Sequence, residues 1–569
     1  MASAGLSYQI LDWLNVAGRV RIDNTHSEYE GKLYASSSNT LTDGSSQGHY
    51  TVNNGQYSQT YADVLVNINK RIQDFTIVAN IGASYSGVTS KELGYAGPIR
   101  ETGIPNLFNV YDLDNAKKRA TQVGWREATE SIFASAEVGW KSMLYLTVTG
   151  RNDWASQLTH SPQASFFYPS VGLSAVITEI LKLPDWVDYL KVRGSFSSVG
   201  NPYPRFLTYP TYSYDANKQD WKSQTNYPIG KLYPERTDSW EVGLDATLFK
   251  DFKLSGSFYY ANTYNQTFDP RLPVSSGYDK LYVQTGYVRN YGFEAMLSYG
   301  HRWGDFGWDS SFTFSANKNE IVELVKDYVH PETGKTYNVD KLELKTDEGR
   351  GFGKAKFILK EGGTLGDLYT HADLKRDING NVLIDDSGNV TAIDNAGDIK
   401  LGSVLPKANL AWNNSFSYKG INAGFLLTAR LGGIVYSATQ AYLDLYGVSE
   451  TSAAARDAGG VWINGRSRVN PQSFYEVVAS QSGLPTYYTY SATNLRLQEA
   501  HIGYTVPRRW LGNVCDINVS LVGRNLWMIY CKAPFDPEAV ATTNNYYQGI
   551  DYFMMPSTRN IGFNIKINF

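Results

Sequence analysis

Histidines are the natural starting point for chemistry, because imidazole is the usual proton carrier and metal ligand near neutral pH. His26, His49, His160, His301, His330, His371 and His501 are scattered through the 569 residues, and none forms the His-x-x-x-His pair of a helical zinc site. The stretch Asp377-Ile-Asn-Gly-Asn-Val-Leu-Ile-Asp385-Asp has half the features of a calcium loop. Its glycine stands fourth rather than sixth, and Gly388 occupies the place of the bidentate glutamate. Two turns, Asn379-Gly380 and Ser387-Gly388, around a short strand 382–384 explain it better. Gly349-Arg-Gly-Phe-Gly-Lys354 lacks the flanking strand and helix of a phosphate cradle. Cys515 and Cys531 lie near opposite ends of an expected strand, on the order of 50 Å apart, which is too far for a disulfide. This inventory points to no catalytic residue, no metal and no cofactor. An enzyme is not expected.

The remaining polar residues need elements to position them, and those elements have period two. Trp240, Val242, Leu244, Ala246 and Leu248 alternate with Ser239, Glu241, Gly243, Asp245 and Thr247. Ile132, Ala134, Ala136, Val138 and Trp140 repeat the pattern, as do Leu144, Leu146 and Val148. Such alternation describes strands with one apolar and one polar face. Many of the segments run ~12–17 residues, against ~5–6 for a globular strand. That length suits a transmembrane strand, which needs roughly 9–11 residues plus extensions. No run of 18 apolar residues exists, so helices do not span a membrane here.

Connections alternate in length. Tight joins are expected at Leu11-Asp12, Lys70–Asp74, Lys141–Met143, Phe249–Asp251, His301–Asp305 and Lys419–Gly420, with longer versions at Thr178–Asp188 and Pro507–Val514. Long polar connections fall between them, at roughly 24–55, 87–125, 154–164, 200–235, 266–281, 324–405, 439–490 and 531–556. Short turns on one rim and long loops on the other are the pattern of an outer-membrane barrel. Eight hairpins and a lone last strand give about 17 strands. Bacterial single-chain barrels have even numbers, so residues 1–569 are expected to be the C-terminal part of a larger barrel. That final segment, Ile561, Phe563, Ile565, Ile567 and Phe569 alternating with polar residues, resembles a barrel-assembly signal, with Phe563 and Phe569 as its aromatics.

Side assignment follows from cost. A basic side chain facing lipid at mid-membrane costs ~2–4 kcal/mol, so Arg151, Asp153, Arg193, Glu241, Asp245, Arg289, Glu294, Arg430 and Arg524 should face the lumen. Aromatics make up 14 % of the chain, with Tyr 42 ahead of Phe 24 and Trp 13. Trp13, Trp140, Trp186, Trp303, Trp308 and Trp510 fall near the tight turns, where a headgroup-level girdle is expected. Loop aromatics, chiefly Tyr212, Tyr214, Trp221, Tyr487, Tyr488, Tyr546 and Tyr547, could stack on a substrate or pack loop against loop. The net charge of −3 gives no reason to expect nucleic acid.

Several motifs then carry a family likeness. Gly150-Arg-Asn-Asp-Trp154 with Ser165-Phe-Phe-Tyr-Pro-Ser-Val171, Leu190–Asn201, and Pro234-Glu-Arg-Thr-Asp-Ser-Trp-Glu-Val-Gly-Leu244 resemble stretches of SusC/RagA-like TonB-dependent outer-membrane transporters. So do Arg289-Asn-Tyr-Gly-Phe-Glu294, Phe314–Ile321, Phe425–Gly433 with Val435-Tyr436, and Asn494-Leu-Arg-Leu497 with Gly503-Tyr504. The resemblance implies an all-β transmembrane antiparallel barrel of about 22 strands, of which this chain supplies about 17. It also implies an N-terminal remainder with a plug, absent from 1–569, and a SusD-like lipoprotein lid. Active import of glycans, oligosaccharides or peptides through the Gram-negative outer membrane, energised by TonB–ExbB–ExbD, is the implied function. An outer-membrane structural or adhesin barrel without active transport is the alternative.

Overall fold

The structure is a computed structural model. It describes residues 1–568 except 209–210, 216–219, 224–225, 228–231, 269–276, 279, 330–333, 335, 345–352, 513 and 543–547. Seventeen strands belong to one large sheet. They are β1 (Ala2–Leu11), β2 (Leu14–Leu33), β3 (His49–Ile72), β4 (Phe75–Pro98), β5 (Arg119–Trp140), β6 (Leu144–Ala155), β7 (Ser165–Val176), β8 (Val187–Asn201) and β9 (Glu235–Leu248). The series continues with β10 (Phe252–Phe268), β11 (Val283–Trp303), β12 (Phe306–Glu323), β13 (Ala408–Tyr418), β14 (Ile421–Leu431), β15 (Asn494–Val506), β16 (Asp516–Cys531) and β17 (Asn560–Asn568). No helix among the described residues is long and apolar enough to cross a membrane.

The tight joins have a local cause. Between β13 and β14, Lys419 and Gly420 are the whole loop and both have positive φ, 49° and 90°. That is the primed two-residue turn whose twist matches the flanking strands, and glycine makes its second position cheap. A Cβ at Gly420 would also meet the Thr505 carbonyl at 2.9 Å.

The chain divides into two compact units. One comprises residues 1–173, 195–237 and 272–282, and the other residues 174–194, 238–271 and 283–569. In the first, β1 to β6 pair antiparallel in sequence order. Cross-strand partners share a face of the sheet, so the register itself sorts side chains. Leu14, Ile68, Ala79, Ala136 and Val148 form one apolar row, and Val16, Val66, Ile81 and Ala134 the next. On this apolar face Val64, Ile81 and Ile132 are 56 %, 52 % and 57 % exposed, while Asp63 and Ser131 on the other face are buried. Exposed aliphatics over buried polar groups invert the usual arrangement, and only an apolar solvent makes that favourable.

The same face changes character higher up. From Phe75 to Tyr85 on β4 it is apolar at alternate positions, and beyond Tyr85 it turns polar, with Asn24, Ser58, Thr89 and Arg126 in one cross-strand row. Ten residues at ~3.3 Å and a tilt of about 40° give an apolar band roughly 25 Å tall. The polar connections expected at 24–55 and 87–125 are therefore largely strand. β2 runs on to Leu33, β3 begins at His49, β4 reaches Pro98 and β5 starts at Arg119. Backbone pairing continues above the membrane after the contrast between faces has faded.

In the second unit β10 to β17 also pair in order. Leu254, Leu297, Phe312, Trp412, Leu427 and Leu497 make an apolar row across six strands. Two polar residues interrupt this face, and indoles cover them. Trp412 Nε1 donates to Ser310 Oγ at 3.0 Å, and Trp308 Nε1 to Asn414 Oδ1 at 3.1 Å. Trp186, Phe249, Phe252, Tyr299, Trp303 and Phe306 touch in sequence at the tight-turn end, with centroid separations of 4.7–6.5 Å.

The long connections 324–407, 432–493 and 532–559 are not merely loops. They build a head with a four-stranded sheet (Lys341–Leu344, Ala355–Lys360, Asp367–Thr370, Ile399–Ser403) and the helices α1 (Ala438–Leu445), α2 (Glu450–Asp457) and α3 (Pro471–Val478). Serines 437 and 449 and Asn470 cap the three helix N-termini by accepting amide hydrogens. One core packs Phe357, Leu368, Tyr436, Ala441, Tyr488 and Ile550, and another packs Leu374, Ile463, Phe474, Val478 and Leu484.

Candidate functional site

The polar face carries the motif residues, and its contacts join one motif to another. In the first unit Arg19, Asp63, Ser84, Ser131 and Asp153 form a single cross-strand row. Arg19 Nε donates to Asp63 Oδ1 at 3.1 Å. Arg151 Nε donates to Asp153 Oδ1 at 2.6 Å and its Nη2 to Ser131 Oγ at 2.8 Å. Tyr168 donates its hydroxyl to Asp153 Oδ2, which ties the 165–171 motif to the 150–154 motif. Gly82 leaves room for the Phe133 ring, which a Cβ would approach to 2.8 Å, and the Arg151 guanidinium lies 5.6 Å from that ring's centroid.

In the second unit the 190–201 and 234–244 motifs meet through Arg193. Its Nη2 is 3.1 Å from Glu241 and its Nη1 3.6 Å from Asp245. Gly243 makes space for that guanidinium, because a Cβ there would lie 2.6 Å from Arg193 Cζ. Arg289 is a correction to the expected lumen-facing set. It stands eight residues from Leu297 with no bulge between them, so strand parity puts it on the face of the apolar row, above the band, and opposite to Glu294. There it donates to the Tyr287 hydroxyl at 2.9 Å and lies 5.5 Å from the Tyr260 and Tyr287 ring centroids. Ser257, Glu294, Ser315, Asn409, Arg430 and Asn494 form one cross-strand row. Beside it is a cavity of about 760 Å³, whose charged lining is Arg193, Glu294, Arg430 and Glu538.

Arg430 and Arg496 connect this wall to the head. Arg430 Nη2 donates to the Val404 carbonyl at 2.7 Å, and its buried Nε has no hydrogen-bond partner among the described residues. Arg496 is buried and grips Asp536 with two nitrogens at 2.8 and 3.2 Å, with Glu538 3.1 Å away. Burial pushes the Asp536 carboxyl up, but the Arg496 fork and the Glu538 amide outweigh it and hold the group below the usual range.

Aromatic candidates separate into three outcomes. Tyr212, Tyr214 and Trp221 share one face of a short hairpin, 212–215 with 220–223, and all three are exposed. The Tyr214 and Trp221 centroids are 5.3 Å apart. Tyr488 is buried in the head, where its hydroxyl donates to Asp444 Oδ2 at 3.0 Å, and burial raises its pKa. Tyr487 is half-buried and packs edge-on against Phe474 at 5.9 Å. Loop packing thus occupies both. Tyr546, Tyr547 and Phe569 lie outside the described residues. Phe563 is exposed on the apolar face of β17, opposite Leu521.

The calcium-like stretch is two turns. Asp377 Oδ1 accepts the Asn379 and Asn381 amides at 2.8 and 2.9 Å, and Asp385 Oδ1 accepts those of Ser387 and Asn389 at 3.0 and 2.9 Å. Gly349–Phe352 fall outside the described residues, and Cys515 and Cys531 are free thiols. A further polar-face group escaped the sequence reading. Thr25, Tyr57, Ser90 and Trp125 form a row above the band, and Arg205 stacks on Trp125 at 3.7 Å while pairing with Glu127. Strand parity could have placed Tyr57 and Trp125 together, whereas nothing local marks Arg205 as their partner.

Known proteins bear on this geometry. Residues 1–526 match the family described as "TonB dependent receptor-like, beta-barrel". TonB-dependent receptor P3 of Formosa agariphila is 24% identical over 524 residues, 85% of this chain and 50% of the relative. TonB-dependent receptor SusC of Bacteroides thetaiotaomicron is 24% identical over 433 residues, 70% of this chain and 40% of SusC. A structure of the RagAB peptide transporter superposes with a TM-score of 0.74 at 17% identity, covering 100% of this chain and 62% of that one. At that identity the likeness is one of fold. The chain spans about half the length of the curated relatives it matches.

Proposed function

The chain belongs to the family of TonB-dependent receptor-like β-barrels, and from that premise we propose that it is the C-terminal barrel portion of an active importer of large nutrients. Members of this family reside in the Gram-negative outer membrane and are transporters rather than enzymes. The reading is carried by the polar face, where cross-strand rows of charged and hydroxyl groups run beside a cavity of about 760 Å³. A lumen lined this way offers hydrogen bonds to a hydrated cargo or to a plug.

Glycans, oligosaccharides and peptides fit this lining. The exposed face of Tyr212, Tyr214 and Trp221 supports a cargo with flat surfaces, such as sugar rings. Arg151, Asp153, Glu241, Asp245 and Glu294 act as lumen-facing groups in this reading. An N-terminal remainder would complete the sheet at β1 and β17 and supply the plug. A SusD-like lipoprotein would cover the head, and TonB–ExbB–ExbD would supply energy through the plug. Uptake of labelled oligosaccharides and peptides by cells expressing the complete protein tests this, with and without TonB. Import that is unchanged when TonB is removed would leave a passive pore instead, and no import with or without TonB would leave a structural or adhesin barrel.

A further inference from the structure

The outward face of β2 to β5 holds three cavities stacked from the membrane upward. The lowest, about 510 Å³, is lined on that face by Val20, Ala62, Val64, Ala83 and Ile132, with Tyr85 and Trp154 at its upper end. Small side chains between larger ones make an apolar groove in the outer half of the apolar band. The middle cavity, about 350 Å³, shares Tyr85 and adds Ser58, Thr60, Thr89 and Arg126. The upper one, about 690 Å³, is lined by His26, Gln56, Lys91 and Gln122. All of these side chains lie on the same face as the aliphatic rows, because their register partners do.

Charge changes along this track. Arg126 lies four residues beyond Glu130, and Lys91 six residues beyond Tyr85. They therefore stand about 10 and 15 Å above the end of the apolar band. Both are exposed, and neither makes an ion pair among the described residues. Glu130 sits between Tyr85 and Trp154 at the boundary itself, and Glu28 lies one row above His26 and Lys91. The Tyr85 ring leans upward over Gly87, whose Cβ would meet the tyrosine oxygen at 2.6 Å, so the aromatic bridges the apolar and polar cavities.

We infer that this face seats a phosphorylated glycolipid of the outer leaflet. One acyl chain fills the lower groove, the Tyr85 and Trp154 rings lie at the headgroup junction, and Arg126 and Lys91 face phosphate. Amphiphile and surface match in sequence: hydrocarbon, aromatic level, hydroxyls, cations. The inference rests on the membrane placement of the strands and not on transport.

The complete outer-membrane protein, purified in mild detergent, is examined by native mass spectrometry for bound lipid. Arg126→Glu with Lys91→Glu should lower retained phosphorylated glycolipid by roughly tenfold or more, with retained neutral phospholipid unchanged. Ala83→Phe, which fills the groove without touching charge, should lower it as well, and heat-modifiable migration verifies that both variants fold. After delipidation, added phosphorylated glycolipid should raise the melting temperature, whereas its dephosphorylated form and inorganic phosphate should not. Equal retention in wild type and both variants, or equal stabilisation by the dephosphorylated lipid, overturns the proposal. Loss of retention with import intact would separate it from the transport reading.

Discussion

Adjacent residues on β11 give a direct test of which face meets lipid. Leu297 and Met296 are similarly exposed, at 46 % and 40 %, yet their side chains leave opposite sides of the sheet. Leu297 belongs to the apolar row with Leu254, Phe312, Trp412 and Leu427. Met296 pairs with Ser255 and Thr313. Leu297 is six residues from Trp303 at the tight turn, about 20 Å along the strand and roughly 15 Å in height, close to the middle of a ~25 Å band. Leu297→Arg should therefore cost ~2–4 kcal/mol, about 30- to 700-fold in folded population. Met296→Arg stays in a polar environment and should cost within ~0.5 kcal/mol. Urea titration of barrel folding into liposomes, read by heat-modifiable gel migration, measures both. Equal penalties, or a larger one at Met296, would refute the assignment of faces.

Replacing Arg496 with alanine leaves the Asp536 carboxylate buried without its fork and should weaken docking of 532–559 by ~3–5 kcal/mol, seen as faster hydrogen exchange there. Asp536 is held below its ordinary pKa, so its contribution is full above the unfolded value near ~3.9 and is lost as pH falls through the folded value. Protection factors in this segment, with the intrinsic pH dependence of amide exchange divided out, should stay constant from about pH 7 to 5 and fall below about 4. Asp444→Ala removes the acceptor for Gln440, Ser449 and Tyr488 and should destabilise the head by ~2–4 kcal/mol in limited proteolysis, leaving barrel migration unchanged. Trp221→Ala should leave stability within ~0.5 kcal/mol but weaken cargo binding by roughly two- to twelvefold, as one lost aromatic contact predicts.

Seventeen strands and their tight turns were legible because lipid enforces period two so strictly. The upper parts of β2 to β5 were not. Past Tyr85 both faces mix polar and apolar residues, so Asn24 and Thr25, or Gln56 and Tyr57, no longer contrast although their backbones remain paired. The head was illegible for a different reason. Phe357, Tyr436, Tyr488 and Ile550 share one core, yet they lie far apart in the chain and no common period links them. Tyr488 looks like a free aromatic until Asp444, 44 residues away, receives its hydroxyl. Arg193, Glu241 and Asp245 could be assigned a face from sequence, but their pairing depends on Gly243, whose missing side chain admits the guanidinium.

The shared core of the head also ties its integrity to the far end of the chain. Phe357 and Tyr436 are delivered by two successive excursions of the chain, but Ile550 arrives only with the excursion between β16 and β17. A chain truncated before that point would leave this core unsealed and open to proteases. Protease resistance of the outer domain thus reports that the excursion before the last strand is in place.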